Sequence, residues 1–287
     1  GSGSIGDIFS AILSQTKLHV TVVKGYDLPK TVDKNSLVVV TSVSGNTVET
    51  LSILEQTIHL ECNVIAVSAG GKIEKICNDK NIEYRKIKEH NSPRASLVSF
   101  VYSMLKILKF IIPIKEEEIN QSIKNLKELE DEISSNNLTD SNKALSLAKE
   151  ISGIPLIYYP WGLEAAGIRF KNSLQENAKM HAMVEDVVEA SHNGIVAWEK
   201  KSNVFPILLQ GDDDNIKTKE RWEVLKIYFK ENNIEFKEII SIRGNILSKL
   251  IHLIYLLDYT SIYKAVISEI DPTPVKSIDF IKSRLDK

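Results

Sequence analysis

Between residues 37 and 50 the chain runs from a β-branched stretch, Leu37–Thr41, into Ser42-Val43-Ser44-Gly45-Asn46-Thr47-Val48-Glu49-Thr50 and then into helical spacing. A strand that enters a helix through a hydroxyl-rich glycine turn suits an anion. The first helical N–H groups lack intrahelical acceptors, and the helix dipole gives that end partial positive charge. Gly45 permits a tight turn or a close ligand approach. Ser42, Ser44 and Thr47 supply hydroxyl donors for phosphate oxygens. The same residues also fit a plain helix cap at Ser44, Asn46 or Thr47, and spacing leaves both readings open. No Gly-Lys-Ser/Thr follows, so nucleotide hydrolysis is disfavoured.

Other chemistry-bearing residues are less distinctive when taken singly. Glu176 on a helix reads as a solvated carboxylate, and His192 as a capping or surface histidine. Arg94 after Pro93 reads as a cap or an ion-pair partner, and Lys282 as a solvent-exposed lysine. Asp212-Asp213-Asp214 invites a metal reading, but no calcium-loop spacing follows and a solvated loop is the expectation. His19, His59, His90, His181 and His252 are not spaced as ligand pairs on one helix face, so no zinc site is expected. Trp161, Trp198 and Trp222 read as packing groups.

The 287 residues include 36 Lys+Arg against 38 Asp+Glu, a formal charge of −2 that argues against nucleic acid as the main partner. The length suits two domains. Two cysteines, Cys62 and Cys77, exclude a disulfide framework or a multi-cysteine metal site, and both read as core thiols of a reducing compartment. The most apolar segment, Leu97–Ile114, carries Lys106 and Lys109 and reads as a buried helix, so no membrane span is expected. No signal peptide is recognisable.

Strand-like runs at Lys17–Val23, Leu37–Thr41, Asn63–Ser68 and Glu83–Lys88 alternate with helical spacing at Gly6–Gln15 and Thr47–Leu60, and Leu97–Ile112 reads as a long helix. Residues 113–150 are charged, with apolar positions at helical period, and read as two connecting helices. Strands are then expected at Ile154–Tyr159, Phe205–Gln210, Glu235–Ile240 and Lys264–Val266. Helices are expected at Gly162–His181, Thr218–Glu231, Arg243–Tyr259 and Ser277–Asp286. Continuous apolar strands separated by helices imply parallel sheets covered on both faces, an α/β class. The two halves have similar element order without a convincing sequence repeat.

Ser44-Gly45-Asn46-Thr47-Val48-Glu49-Thr50 after an apolar strand resembles the phosphate loop of sugar-isomerase (SIS) domains. Gly1-Ser2-Gly3-Ser4-Ile5-Gly6-Asp7 resembles that family's first glycine-serine loop, in which case a preceding strand of the usual chain is absent; Gly1–Ser4 also reads as a linker scar. Arg169-Phe170-Lys171-Asn172-Ser173-Leu174-Gln175-Glu176-Asn177-Ala178-Lys179 and Ser191-His192-Asn193-Gly194-Ile195-Val196-Ala197-Trp198 resemble the bifunctional phosphoglucose/phosphomannose isomerases. Ser92-Pro93-Arg94, Asp271-Pro272-Thr273-Pro274-Val275 and Ile281-Lys282 extend the resemblance, in order, over nearly the whole chain.

The resemblance implies two SIS-type doubly wound domains: residues 1–112, connecting helices 113–153, and 154–287. It implies interconversion of glucose 6-phosphate and mannose 6-phosphate with fructose 6-phosphate through a cis-enediol. Glu176 is then the proton-transferring base, His192 opens the sugar ring with Lys282 assisting at the ring oxygen, and Arg94 stabilises the enediolate. Ser4, Ser42, Ser44, Gly45 and Thr47 hold the substrate phosphate. No cofactor or metal is implied. A cytoplasmic homodimer is, with the histidine lent by the partner subunit. Ser2 stands where the family often has Gly or Met, and Ser92 where Gln is frequent before Pro93; neither is a proton-transfer group. Two competing readings are a non-catalytic phosphosugar sensor, which does not require Glu176 and His192, and the isomerase half of a glucosamine-6-phosphate synthase, which the 192–198 segment fits less well.

Overall fold

The apolar β-branched runs pair into two parallel sheets. They belong to two units, Gly1–Ile114 and Lys115–Lys287, of a computed structural model that describes residues 3–285. The first unit contains α1 (Gly3–Leu13), β1 (Leu37–Ser42), α2 (Val48–Thr57), β2 (Asn63–Ser68), α3 (Gly71–Lys80), β3 (Glu83–Lys86), a 3₁₀ turn at Arg94–Ser96 and α4 (Leu97–Ile107). Its strands lie in the order β1-β2-β3, with Val40 opposite Ala66 and Ala66 opposite Tyr84. Val40, Ile53, Leu54, Ala66, Ile73 and Cys77 form the core where α2 and α3 cover the sheet.

The second unit contains α5 (Glu116–Ile133), α6 (Lys143–Glu150), β4 (Ile154–Tyr159), α7 (Glu164–Asn177), β5 (Met183–Asp186), α8 (Val187–Ala190), a 3₁₀ turn at Gly194–Glu199, β6 (Val204–Gln210), α9 (Ile216–Glu231), β7 (Lys237–Ile240), α10 (Ile246–Ile267) and α11 (Lys276–Leu285). The sheet order is β5-β4-β6-β7, all parallel. Tyr158, Val187, Leu208, Trp222 and Phe229 form a core on the α9 side. Helix α10 packs against α5, α6 and α7. It is long and apolar enough to cross a membrane, but Leu250, Ile251, Leu253, Ile254 and Leu257 are fully buried in the unit, as in a core helix. The two helices expected in 113–150 are α5 and α6.

Four expectations are corrected. Lys17–Val23 forms no strand: no neighbouring strand pairs with it, because β1 is hydrogen-bonded only to β2. Val22 instead packs so closely on α1 that a Cβ at Gly6 would lie 2.7 Å from its Cγ1. Lys264–Val266 lies inside α10, which continues as one helix to Ile267 and buries Tyr263 and Ala265 on its inner face. Residues 3–7 are helical rather than a loop, and Ser4 sits buried in the first turn of α1; Gly1 and Ser2 of the expected loop lie outside the described residues. The run 83–88 shortens to β3, and Lys88 leaves the ladder. Sequence patterning missed α3, which starts at a glycine pair that reads as a turn. It also missed β5, a short edge strand with no continuous apolar run.

Topology fixes where side chains emerge. In both sheets the segments from strand to following helix leave the carboxyl edge, where open parallel sheets hold ligands. Those segments carry the 42–47 turn and Arg94 in the first unit; in the second, His192 follows the short α8 that comes directly after β5.

Candidate functional site

The 42–47 turn is shaped by hydrogen bonds among its own residues. The Ser42 and Thr47 hydroxyls bond each other at 2.9 Å, and the Gly45 N–H donates to Ser42 Oγ at 3.1 Å. The Asn46 N–H donates to Ser44 Oγ at 3.3 Å, and Asn46 Nδ2 donates to the Ser44 carbonyl at 3.2 Å. Thr47 occupies the N-cap position of α2 but makes no side-chain cap. Asn46 accepts from the Lys72 N–H at 3.0 Å and so caps α3, the neighbouring helix. The plain-cap reading therefore fails at Asn46 and Thr47, and the opening turn of α2 keeps its donors and dipole for another acceptor.

Gly45 is required twice over. Its φ is +68°, and a Cβ there would lie 1.8 Å from the Gly70 carbonyl oxygen. The Ile73 N–H donates to the Gly45 carbonyl at 3.0 Å and the Ala69 N–H to the Val43 carbonyl at 2.9 Å. The turns after β1 and β2 are thus interlocked backbone to backbone. Ser44 and Asn46 are exposed, Thr47 is half-buried and Ser42 is buried. Arg94, half-buried, opens the turn after β3. Ser96 staples that turn, accepting from the His90 N–H at 2.9 Å and donating to the Ser92 carbonyl at 2.9 Å.

In the second unit Glu176, half-buried, is the penultimate residue of α7. The helix is fixed to α10 by a buried network. Arg169 grips Asp258 with Nε at 3.0 Å from Oδ1 and Nη2 at 2.8 Å from Oδ2. Ser173 Oγ donates to Asp258 at 2.5 Å, and Asn177 Nδ2 donates to Ser261 Oγ at 2.8 Å. Burial works against the Arg169 charge, but Asp258 and then Glu176 outweigh it and hold the guanidinium above its usual range. Lys179, just past α7, donates to the Glu176 carbonyl at 2.5 Å and to the Pro274 carbonyl at 2.7 Å. That contact brings the start of α11, the Lys282 helix, to the Glu176 end of α7. Lys282 is exposed on α11, which has no buried side chain.

His192 is elsewhere in the unit. It follows α8, exposed, with its N–H on the Glu189 carbonyl at 2.9 Å. Helix α7 runs back toward the amino edge of the sheet and ends just before β5 begins, whereas His192 comes after β5 has crossed to the carboxyl edge. Topology therefore places them toward opposite edges of the sheet, with β5, a strand of about 13 Å, between them in the chain. One copy of this unit brings Glu176 and the α11 lysine helix together and leaves His192 apart. The segment that follows His192 is tied to the sheet at Trp198. Trp198 Nε1 donates to Tyr158 Oη at 2.9 Å, and burial pushes the Tyr158 phenol up to about 12. Burial, then Glu189 and Asp186, raises the Glu185 carboxyl.

The acidic run 212–214 is tied down rather than freely solvated. Asp212 pairs with Arg243 and Asp213 with Lys249. Asp214 accepts from the Gly211 N–H at 2.9 Å and Trp222 Nε1 at 3.1 Å, and burial raises its pKa. Among the described residues no group of three or more His, Cys, Asp or Glu side chains is arranged to hold a metal. Cys62 and Cys77 are free thiols, raised by burial. The contacts that sequence reasoning missed are the Asn46 cap on α3, the Arg169–Asp258 pair and the Lys179 bridge. Asn46, Arg169 and Lys179 lay within quoted motifs, but their types carried no hint of partners 26 to 95 residues away.

Parallel sheets flanked by helices define an α/β protein. Residues 140–285 match the family model described as the bacterial phospho-glucose isomerase C-terminal SIS domain. The chain is 30% identical over 282 residues to a bifunctional phosphoglucose/phosphomannose isomerase of Caldicellulosiruptor bescii, covering 96% of this chain and 83% of that protein. It is 29% identical over 293 residues to the protein of the same name from Aquifex aeolicus, covering 100% of this chain and 88% of that one. A crystal structure of tagatose-6-phosphate ketose/aldose isomerase from Escherichia coli superposes with a TM-score of 0.73 at 12% identity, covering 94% of this chain and 80% of that one, which shows the shared fold. The chain belongs to the bifunctional phosphoglucose/phosphomannose isomerase family.

Proposed function

We propose that this chain is an aldose–ketose isomerase that converts glucose 6-phosphate and mannose 6-phosphate to fructose 6-phosphate. The observation that carries the reading is Glu176 on an immobilised helix end, inside a chain that aligns almost end to end with bifunctional isomerases. Glucose and mannose differ only at C2. Removal of the C2 proton makes that carbon planar, so both open-chain aldoses give one cis-enediolate, and return of a proton to C1 gives the ketose. One base thereby serves both substrates.

In this reading the 42–47 turn and the first turn of α1, with Ser4, hold the phosphate through hydroxyls and helix-terminal N–H groups. Glu176 moves the proton, a role worth about 10²–10⁴ in rate. Arg94 offers a permanent charge to the enediolate oxygen. His192 and Lys282 serve ring opening. The separation of His192 from Glu176 within one unit supports supply of the histidine by a second copy, and hence a homodimer. Both units are then SIS domains of the doubly wound type, residues 1–112 and 154–287 joined by the helices of 113–153, in a cytoplasmic enzyme of sugar-phosphate metabolism.

The test is a coupled assay with each aldose, run on the wild type and Glu176→Gln. Turnover of both substrates, lost in the variant, is expected. Calorimetric binding of fructose 6-phosphate without any turnover would instead select the regulatory sensor.

A further inference from the structure

Lys179 stands out on two counts. Its φ is +54°, a left-handed conformation that a non-glycine residue adopts at a cost, and glycine is the usual choice immediately after a helix. Its ammonium also reaches three backbone carbonyls from two separate segments. Nζ lies 2.5 Å from the Glu176 oxygen, 2.7 Å from the Pro274 oxygen and 3.3 Å from the Pro272 oxygen. A cation here adds a donor to the last carbonyls of α7 and interacts favourably with the helix dipole. The Pro272 and Pro274 carbonyls belong to the turn that opens α11. That turn is itself set by the Thr273 N–H donating to Asp271 Oδ1 at 2.8 Å. Helix α11 buries none of its side chains, so few contacts fix its direction. The Lys179 ammonium is a direct bond between the residue that carries Glu176 and the start of the helix that carries Lys282.

We infer that Lys179 is a positioning residue for the isomerisation: it clamps the Glu176 end of α7 to the 271–275 turn and so sets the proton-transferring carboxylate relative to the ring-opening lysine. Lys179 itself moves no proton and touches no substrate. The inference rests on the roles proposed for Glu176 and Lys282. It accounts for a left-handed lysine where glycine is conformationally cheaper, because glycine supplies no ammonium.

Lys179→Gly separates backbone from side chain, since glycine accepts this φ without strain while the ammonium is lost. Steady-state kinetics with glucose 6-phosphate should show kcat lowered about 10- to 100-fold, as expected for a misplaced catalytic group, with KM within about twofold. Added n-butylammonium, which matches the vacated four-carbon side chain and restores the donor, should recover kcat several-fold in this variant and leave the wild type unchanged. Lys179→Met, which keeps the aliphatic stem, is the second variant, and Glu176→Gln is measured in parallel. Wild-type kcat in either folded Lys179 variant, beside an inactive Glu176→Gln, would overturn the inference and leave the isomerase reading intact. Lost activity without amine rescue, or failure of both variants to fold, would assign Lys179 a purely structural role and overturn it too. A fully active Glu176→Gln would remove the base assignment on which the inference stands.

Discussion

The two regions that carry the proposed chemistry are built in opposite ways. The 42–47 turn is mostly local: Ser42, Ser44, Gly45, Asn46 and Thr47 bond among themselves, and glycine at 45 is dictated by φ and by the Gly70 carbonyl. The Glu176 region is assembled from distance, with Arg169 reaching 89 residues to Asp258 and Lys179 reaching 95 residues to Pro274. An anion can be held by backbone groups, which any sequence possesses, so the loop needs only small residues in the correct order. Proton transfer needs particular side chains held to within a fraction of an ångström, which takes tertiary packing. The turn should therefore fail through its backbone, and the Glu176 region through its side-chain network.

The largest break of that contrast is Gly45→Val. Left-handed strain and overlap with the Gly70 carbonyl together should cost about 3 kcal/mol or more. Thermal denaturation should show a drop of many degrees, and fructose 6-phosphate binding should be lost. A variant that melts with the wild type would mean that the turn is not rigid. Arg169→Met comes next. Removing one partner of the buried pair leaves Asp258 uncompensated and should cost about 3 kcal/mol. The double variant Arg169→Met/Asp258→Leu should recover most of this in urea unfolding; additive losses would contradict the network.

Asn46→Ala removes only the cap that the turn lends to α3 and should cost about 1 kcal/mol, read from the same unfolding curves. The smallest effect concerns Glu185, whose carboxyl is raised mainly by burial. The folded state binds its proton more tightly than the unfolded state, so stability is full below the usual carboxylate range and falls as pH rises through the elevated folded value. Glu185→Gln should thus melt higher than the wild type at pH 7 and equal to it at low pH. A stabilisation that persists at low pH would rule out ionisation as its cause.

The same contrast decided what was legible in the sequence. Strands β1, β2, β4 and β6 are continuous apolar runs because helices cover the sheets, and such runs read directly. Lys17–Val23 has the same composition but lacks a ladder partner, a tertiary fact that composition does not carry. Strand β5 is a four-residue edge with a mixed pattern, and α3 begins at Gly70-Gly71, which reads as a break. The 42–47 turn was visible from strand, glycine and hydroxyls alone. Asn46, one of the residues that fitted a cap on α2, turns instead to a helix 26 residues away. Glu176, His192, Arg94 and Lys282 acquired roles only through their joint resemblance to a family, since each residue type is common on surfaces. The Lys179 bridge was hidden because a lysine's backbone acceptors lie wherever the chain returns.

Solvent hydrogen exchange tests the central claim most directly. Fructose 6-phosphate is incubated in D₂O with wild type or Glu176→Gln, and deuterium at C1 and at C2 of the products is followed by NMR. Passage through an enediolate on a solvent-exchanging carboxylate predicts wash-in by the wild type. In Glu176→Gln it predicts loss of that wash-in by about 10²-fold or more, with fructose 6-phosphate binding retained. Wild-type rates of wash-in by Glu176→Gln would show that another group transfers the proton.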